Sequence, residues 1–112
     1  MRENHGSCHC GRVRVVLRET PVDAGECNCS LCRRIAGLWH HCSPSVVTVT
    51  GGGAAYRQGD CTLDTWHCQV CGCTTHWTPV DPDYPRMAVN LRMFEPELWL
   101  DLPRRLIDGA RF

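Results

Sequence analysis

The segment "HCQVCGC" (67–73) decides the fold of this chain, because it holds half of a predicted metal site. Cys68 and Cys71 have the C-x-x-C spacing that lets two thiolates bind one ion, and Gly72 supplies the tight turn that follows such a pair. A second pair, in "CHC" (8–10), lies near the N-terminus. Two such pairs that are distant in sequence form a closed zinc site. We therefore predict a structural zinc ion held by Cys8, Cys10, Cys68 and Cys71.

Between the two pairs lies a group of three cysteines, in "ECNCSLCRR" (26–34). Three protein ligands with an open fourth position are typical of catalytic zinc, where water or substrate completes the coordination. From spacing alone two alternatives stay open. One is a second structural site whose fourth ligand is Cys42, Cys61, Cys73 or a histidine, and the other is a set of disulfide bonds. The predicted ligands of the second zinc ion are Cys27, Cys29 and Cys32, hereafter the cysteine trio.

The remaining candidate ligands have simpler interpretations. None of the six histidines stands in a HExxH motif and most lie in strand patterns, so we interpret them as strand residues and not as ligands. Unpaired cysteines behave as small buried apolar residues, which is the expectation for Cys42, Cys61 and Cys73. The four tryptophans are expected in the core, and one of them could line a pocket beside the second metal.

Composition excludes several classes of function. The chain has 112 residues and a formal net charge of zero, and all twelve of its basic residues are arginine. Without a basic surface or any lysine, nucleic-acid binding and Schiff-base chemistry are not expected. No signal-peptide-like segment and no run of about 18 apolar residues is present, so neither export nor a membrane partner is expected. We predict a cytoplasmic protein, and in that reducing compartment ten cysteines favour metal binding over disulfides.

The hydrophobic pattern predicts a mostly β fold in one domain, residues 1–112. Alternating apolar residues predict short antiparallel strands, separated by turns such as "GGG" (51–53) and "GD" (59–60). One short helix is expected after the cysteine trio, with Ser30 as its N-cap and Gly37 at its C-terminal end. A second helical turn is predicted at "PELWL" (96–100). The predicted strands are 12–18, 45–50, 54–58, 62–68, 74–78 and 86–94, with Met87, Val89, Leu91 and Met93 on one face of the last.

Several motifs occur here in the order seen in one known family. These are "GSCHCGRVRV" (6–15), "CNCSLCRR" (27–34), "VTGG" (49–52) followed by "YR" (56–57), "HCQVCGC" (67–73), and the closing "VNLRMFEP" (89–96) and "RRLIDGA" (104–110). In these residues the chain resembles the glutathione-dependent formaldehyde-activating enzyme family, which also includes the centromere protein V type of domain. The resemblance covers nearly the whole chain.

The resemblance implies a zinc-bridged, tent-like β fold with two zinc ions. It assigns Cys8, Cys10, Cys68 and Cys71 to a structural zinc and the cysteine trio to a catalytic one. The implied reaction is that of a carbon–sulfur lyase or synthase, which forms S-hydroxymethylglutathione from glutathione and formaldehyde or makes a related thiol adduct. The alternative is a non-catalytic glutathione or thiol carrier, or an interaction module. Arg33 and Arg34 have two interpretations: they bind glutathione carboxylates, because arginine matches carboxylate geometry, or they belong to a solvated face of the helix.

Overall fold

The computed structural model describes residues 3–59 and 61–111. Asp60, in the predicted turn 59–60, and both ends of the predicted domain 1–112 lie outside the described residues. The described chain is mostly β, as predicted. Its ten strands are β1 Asn4–Ser7, β2 Arg14–Leu17, β3 Ala24–Cys27, β4 Trp39–Cys42, β5 Val47–Thr50, β6 Ala54–Arg57, β7 Leu63–His67, β8 Thr74–Pro79, β9 Met87–Asn90 and β10 Arg104–Ile107.

The strands form two sheets. The small sheet has the order β1-β2-β5, and the large sheet has the order β10-β3-β4-β9-β8-β7-β6. All pairings are antiparallel within the described residues except that of β10 with β3, which is parallel. The prediction of antiparallel strands is therefore correct for every pairing in the described residues except this one. The predicted strands do not include β1, β3, β4 or β10, and β10 returns across the fold to the far edge of the large sheet.

The main core lies between the two sheets. Val15 and Leu17 of β2 pack against residues of the large sheet such as Met87 and Val89, all of them at most 5% exposed. All four residues of β9 are buried, since this strand lies in the middle of the large sheet. A smaller cluster, formed by Trp39, Trp77 and Ala88, packs with half-buried residues of the cysteine trio and the helix after it. The large sheet therefore has a core on both of its faces.

The predicted helix after the cysteine trio is present as a single turn, α1 (Cys32–Ile35). Its N-cap is Leu31 and not Ser30, and its C-cap is Ala36 with φ of 53° and not Gly37. The turn closes one residue early because the Ala36 N–H already donates to the Cys32 carbonyl at 2.8 Å. The helical turn predicted at 96–100 is also present, as α2 (Pro96–Trp99).

Two predicted strands are shorter than expected because a 3₁₀ turn replaces one end. Residues Pro44–Val46 form such a turn before β5, capped by the Ser43 hydroxyl, and Leu91–Met93 form another after β9. The four apolar residues predicted to share a face between 87 and 93 still pack into the main core, but the last two do so from the turn. None of the helices in the described ranges has the length and hydropathy of a membrane-spanning segment.

Candidate metal centres and the cavity beside them

Four cysteines from distant parts of the chain meet at one end of the two sheets. Cys8 and Cys10 follow β1, and Cys68 and Cys71 lie in the turn between β7 and β8. Cys10 Sγ lies 3.7 Å from both Cys8 Sγ and Cys68 Sγ, and all four sulfurs lie within 4.8 Å of one another. The structure thus brings together the four residues predicted for the structural site, in a group that can hold a metal ion.

Backbone N–H groups surround this four-cysteine group and favour thiolates. Hydrogen bonds from the N–H groups of Cys73 and Cys10 lower the pKa of Cys71 to about 5. The pKa of Cys10 is raised to about 11: the Arg12 N–H lowers it, but burial and the thiols of Cys68, Cys8 and Cys71 outweigh that effect. Sulfurs this close cannot all ionise without a compensating cation. A divalent, thiophilic ion such as zinc fits this donor set.

The cysteine trio lies where β3 passes into α1. Cys27 is the last residue of β3, Cys29 lies in the following turn, and Cys32 is the first residue of α1. Their three sulfurs lie within 4.8 Å of one another, and all three side chains are half-buried. Within the described part of the chain, this group gains no fourth cysteine, histidine or carboxylate ligand. The second structural site considered above would need such a ligand.

The three thiols of the trio have different acidities. Burial raises the pKa of Cys29, but hydrogen bonds from the Cys32 and Leu31 N–H groups and from the neighbouring thiols outweigh it, so the net pKa is lowered. The Cys32 N–H lies 3.3 Å from Cys29 Sγ. Burial, followed by the other two thiols, raises the pKa of Cys32 far above its usual range. Because α1 is a single turn, local N–H groups and not a helix dipole favour the Cys29 thiolate.

The buried indole N–H of Trp39 indicates that Cys32 is a thiolate. Its Nε1–H is fully buried and makes no hydrogen bond of standard geometry to any residue that the structure describes. It lies close enough to Cys32 to favour the thiolate form of that residue. A buried donor without an acceptor costs about 1–3 kcal/mol. A cysteine that binds a metal is a thiolate, and a Cys32 thiolate would accept a hydrogen bond from this N–H. The site therefore fits a bound cation.

The C-terminal segment closes the trio from one side. Ile107 of β10 pairs with Cys27, and the Asn28 N–H donates to the Ile107 carbonyl at 3.1 Å. The Asn28 side chain donates to Asp108 Oδ1 and accepts from the Ala110 N–H, each at 2.9 Å. This contact was not predicted, since Asn28 and the segment 108–110 are about 80 residues apart. The only local signal was the position of Asn28 between two cysteines.

A cavity of about 930 Å³ opens beside the trio. The trio and Arg33 line it, together with residues from the turn between β6 and β7 and from the end of β8. Arg34 is exposed, and its Nη1 donates to the Ser30 carbonyl at 2.6 Å. The rest of the wall is mainly aromatic and apolar, from Trp39, Trp77, Tyr84, Leu63, Pro79 and Ile107. The tryptophan expected beside the second metal is thus Trp39, with Trp77 next to it.

His41 is the imidazole that reaches this cavity. Arg105 Nη2 lies 3.2 Å from His41 Nδ1, and the ring packs edge-on against Trp77 with centroids 5.7 Å apart. Since a guanidinium only donates, Nδ1 must accept, so the proton of the neutral ring is on Nε2. Burial and then the Arg105 charge lower the pKa of His41 to about 4, so the ring is neutral near pH 7.

The remaining cysteines differ from one another. Cys42 is 3% exposed and lies in the main core, as expected, and Cys73 is half-buried beside the four-cysteine group. Cys61 is exposed, so the prediction that it is buried was wrong; it follows the turn between β6 and β7, with φ of 62°. All ten cysteines are free thiols in the described chain, and the disulfide alternative finds no support there.

Two of three comparisons with known proteins find similar proteins. A family model described as "Glutathione-dependent formaldehyde-activating enzyme" matches residues 3–101. Among solved structures, the crystal structure of a Rhodobacter sphaeroides protein is similar, with a TM-score of 0.72 and 28% sequence identity. That alignment covers 90% of this chain and 99% of the other. A comparison with curated proteins finds no match.

Proposed function

Because the chain belongs to the glutathione-dependent formaldehyde-activating enzyme family, we propose that it is a zinc-dependent carbon–sulfur lyase acting on a glutathione adduct. Membership supports a glutathione-dependent, formaldehyde-activating role in general. The finer proposal is reversible formation of S-hydroxymethylglutathione from glutathione and formaldehyde, or of a related thiol adduct. One zinc ion is structural, held by Cys8, Cys10, Cys68 and Cys71, and one is catalytic, held by Cys27, Cys29 and Cys32.

One observation carries the proposal: three thiols converge on a cavity, with no fourth ligand in the described chain. Such a site keeps one coordination position for a substrate. A zinc ion there would lower the pKa of a bound thiol and polarise a carbonyl oxygen. In the reaction a C–S bond forms, the carbonyl π bond breaks, and its oxygen takes the proton that the thiol releases. The balance needs no oxidant, so the cysteines act as ligands and stay reduced.

Arginines at the cavity are proposed to hold glutathione by its carboxylates. Arg33 lies in the cavity wall directly after the last cysteine of the trio, so a carboxylate bound to it would keep the thiol near the metal. Arg34 is not among the residues that line the cavity; one of its donors is engaged with the Ser30 carbonyl, and the others could pair with a second carboxylate. Of the two, Arg33 has the stronger support.

His41 is proposed to orient the aldehyde. Its Nδ1 accepts from Arg105, so Nε2–H is the donor that remains for a ligand in the cavity. A donor at this place stabilises the oxygen that gains negative charge as the C–S bond forms. The aromatic rings of Trp39 and Trp77 line the same cavity and lower its polarity, which strengthens the hydrogen bond.

The proposal is tested by exchange spectroscopy with purified, zinc-loaded protein. Magnetisation transfer between free formaldehyde hydrate and its glutathione adduct measures the exchange rate directly, and the uncatalysed rate is subtracted. We expect exchange above background that Cys29→Ser abolishes and Arg33→Gln weakens mainly through glutathione binding. A fully zinc-loaded protein that adds nothing to the background rate would refute the activity.

The alternative is a thiol carrier or interaction module that binds without turnover. Titration calorimetry with glutathione separates these, since a carrier binds glutathione and an interaction module does not. We also propose a cytoplasmic location, supported by the ten free thiols, and small-molecule partners only, a thiol and an aldehyde. Neutral net charge supports the absence of a nucleic-acid partner.

A further inference from the structure

A third group of potential metal ligands lies on the face of β4 that is turned away from the cavity. Residues two apart on a strand share a face, so His40 and Cys42 point to one side of the large sheet while Trp39 and His41 point to the other. Glu19 lies two residues after the end of β2, a strand of the small sheet. We propose that Glu19, His40 and Cys42 form a third metal site, which binds one zinc-class divalent ion between the two sheets.

The donor atoms are already gathered. Glu19 Oε1 lies 2.7 Å from His40 Nε2, and one ligand atom from each of Glu19, His40 and Cys42 lies within 4.8 Å of the other two. The same separation describes the two cysteine groups. Carboxylate, imidazole and thiolate are the three ligand types that zinc uses in proteins. Three protein ligands leave a fourth position for water.

Burial at this site is graded from the core to the surface. Cys42 is 3% exposed, the His40 side chain 12% and the Glu19 side chain 40%. The thiol therefore forms the floor of the site and the carboxylate its rim, so an ion and its water ligand can enter from the Glu19 side. The buried imidazole and thiol are fixed by the pairing of β4 with β9, which reduces the entropy that ligand ordering costs.

A metal ion here would join parts of the fold that share no strand pairing. Glu19 follows β2 in the small sheet, whereas His40 and Cys42 belong to the large sheet. The four-cysteine group joins the same two sheets at another place, through the segment after β1 and the turn between β7 and β8. An ion bound here would stabilise the folded state, because its three ligands come together only when the two sheets have packed.

The competing explanation is an ordinary ion pair between Glu19 and His40. It accounts for two of the three residues and leaves Cys42 as an apolar residue of the main core. The chain offers a comparison in His5 and Glu3, whose nearest polar atoms lie 3.4 Å apart on the surface and belong to none of the metal-ligand groups found in the described residues. His5 therefore provides the matched control for an imidazole–carboxylate pair without a metal.

The test is metal stoichiometry in His40→Gln, with His5→Gln as the control. Glutamine keeps a donor for the Glu19 carboxylate but is a poor zinc ligand. Each protein is equilibrated with excess zinc, freed of unbound metal, and its zinc and protein are measured. We expect His40→Gln to hold one equivalent less than wild type and His5→Gln the same amount as wild type. Wild type and both variants contain the same two cysteine sites, so incomplete loading of those sites lowers the zinc content of each protein equally.

Cobalt(II) gives a second readout. The last equivalent bound by wild type should add a thiolate-to-cobalt charge-transfer band, since Cys42 is a ligand, and His40→Gln should lose that increment. Glu19→Gln, at the exposed rim, repeats the experiment with little risk to folding. Equal zinc content and equal cobalt spectra in wild type, His40→Gln and Glu19→Gln would overturn the proposal and leave an ion pair only.

Discussion

Gly109 lies directly against Cys27. A Cβ added at position 109 would overlap Cys27 Sγ and would lie 3.1 Å from Cys29 Cβ. This contact joins the last part of the chain to the cysteine trio. Asn28 holds the same segment through Asp108 and Ala110. The geometry of the second metal centre therefore depends on residues that follow β10, and not only on the cysteines themselves.

Gly109→Ala is expected to damage the trio and leave the fold in place. The added methyl group pushes Cys27 or the C-terminal segment aside, at a cost of about 1–3 kcal/mol for overpacking. Zinc content should fall by about one equivalent, because the displaced sulfur no longer converges with the other two. Metal analysis and circular dichroism measure both effects. Ala110→Ser, at the exposed neighbouring position, is the control and should keep wild-type zinc content.

Cys29→Ala and Cys68→Ala are expected to differ in kind. Loss of Cys29 should remove about one zinc ion and activity, with a stability change of about 1 kcal/mol, since this half-buried residue lies in a turn. Cys68 is fully buried and joins two sheets, and structural zinc binding contributes on the order of 10 kcal/mol to folding. Cys68→Ala should therefore unfold at a much lower urea concentration than the wild type. Equal destabilisation by both changes would contradict the division into catalytic and structural sites.

Trp39→Phe is expected to weaken metal binding at the trio by about tenfold or more, as for other groups that hydrogen-bond to a metal ligand. The variant removes the buried Nε1–H that favours the Cys32 thiolate. A competition titration with a chromophoric chelator measures the affinity. Trp66→Phe is the control, because its indole donates to Thr78 at 2.8 Å, far along the sheet from the trio. A tenfold loss in both variants would point to general destabilisation.

His76 is expected to make stability depend on pH. Burial lowers its pKa from 6.5 to about 4, so the unfolded chain binds more protons between these values. The contribution is complete above pH 6.5 and is lost as pH falls towards 4; at about 1.4 kcal/mol per pKa unit it amounts to about 3 kcal/mol. Urea unfolding at pH 7 and pH 4.5 should show a smaller loss for His76→Asn than for wild type. The same loss in both proteins would contradict this role, whatever zinc release adds to each.

Local sequence was sufficient for the metal groups and for the short helix. The cysteines of each pair or trio are separated by one or two residues, so spacing alone restricts which sulfurs can share an ion. The short helix α1 could also be predicted, since a single turn depends only on its own residues. Its observed caps are one residue away from the expected ones. The alternating apolar residues of β2 and β5 likewise match the alternating burial of those strands.

Prediction failed where structure depends on distant partners. Strands β1, β3, β4 and β10 carry little apolar alternation; β10, for example, reads "RRLI" and is half-exposed. It forms because β3 offers a free edge, and parallel pairing needs a long connection that no local pattern reveals. Cys61, expected to be buried from residue type alone, is exposed because it lies in the connection between β6 and β7, and connections run over the surface.

The sequence by itself determined the class of fold, the partition of seven cysteines into a group of four and a group of three, and the family. Only the tertiary structure decided what surrounds them: the cavity wall of Trp39, Trp77 and His41, the contact of Gly109 with Cys27, and the meeting of Glu19 with His40 and Cys42. The physical reason is the distance along the sequence between the residues that determine each feature. Ligand spacing is fixed by a few backbone angles, whereas a wall, a close approach or an inter-sheet contact exists only after distant strands have packed.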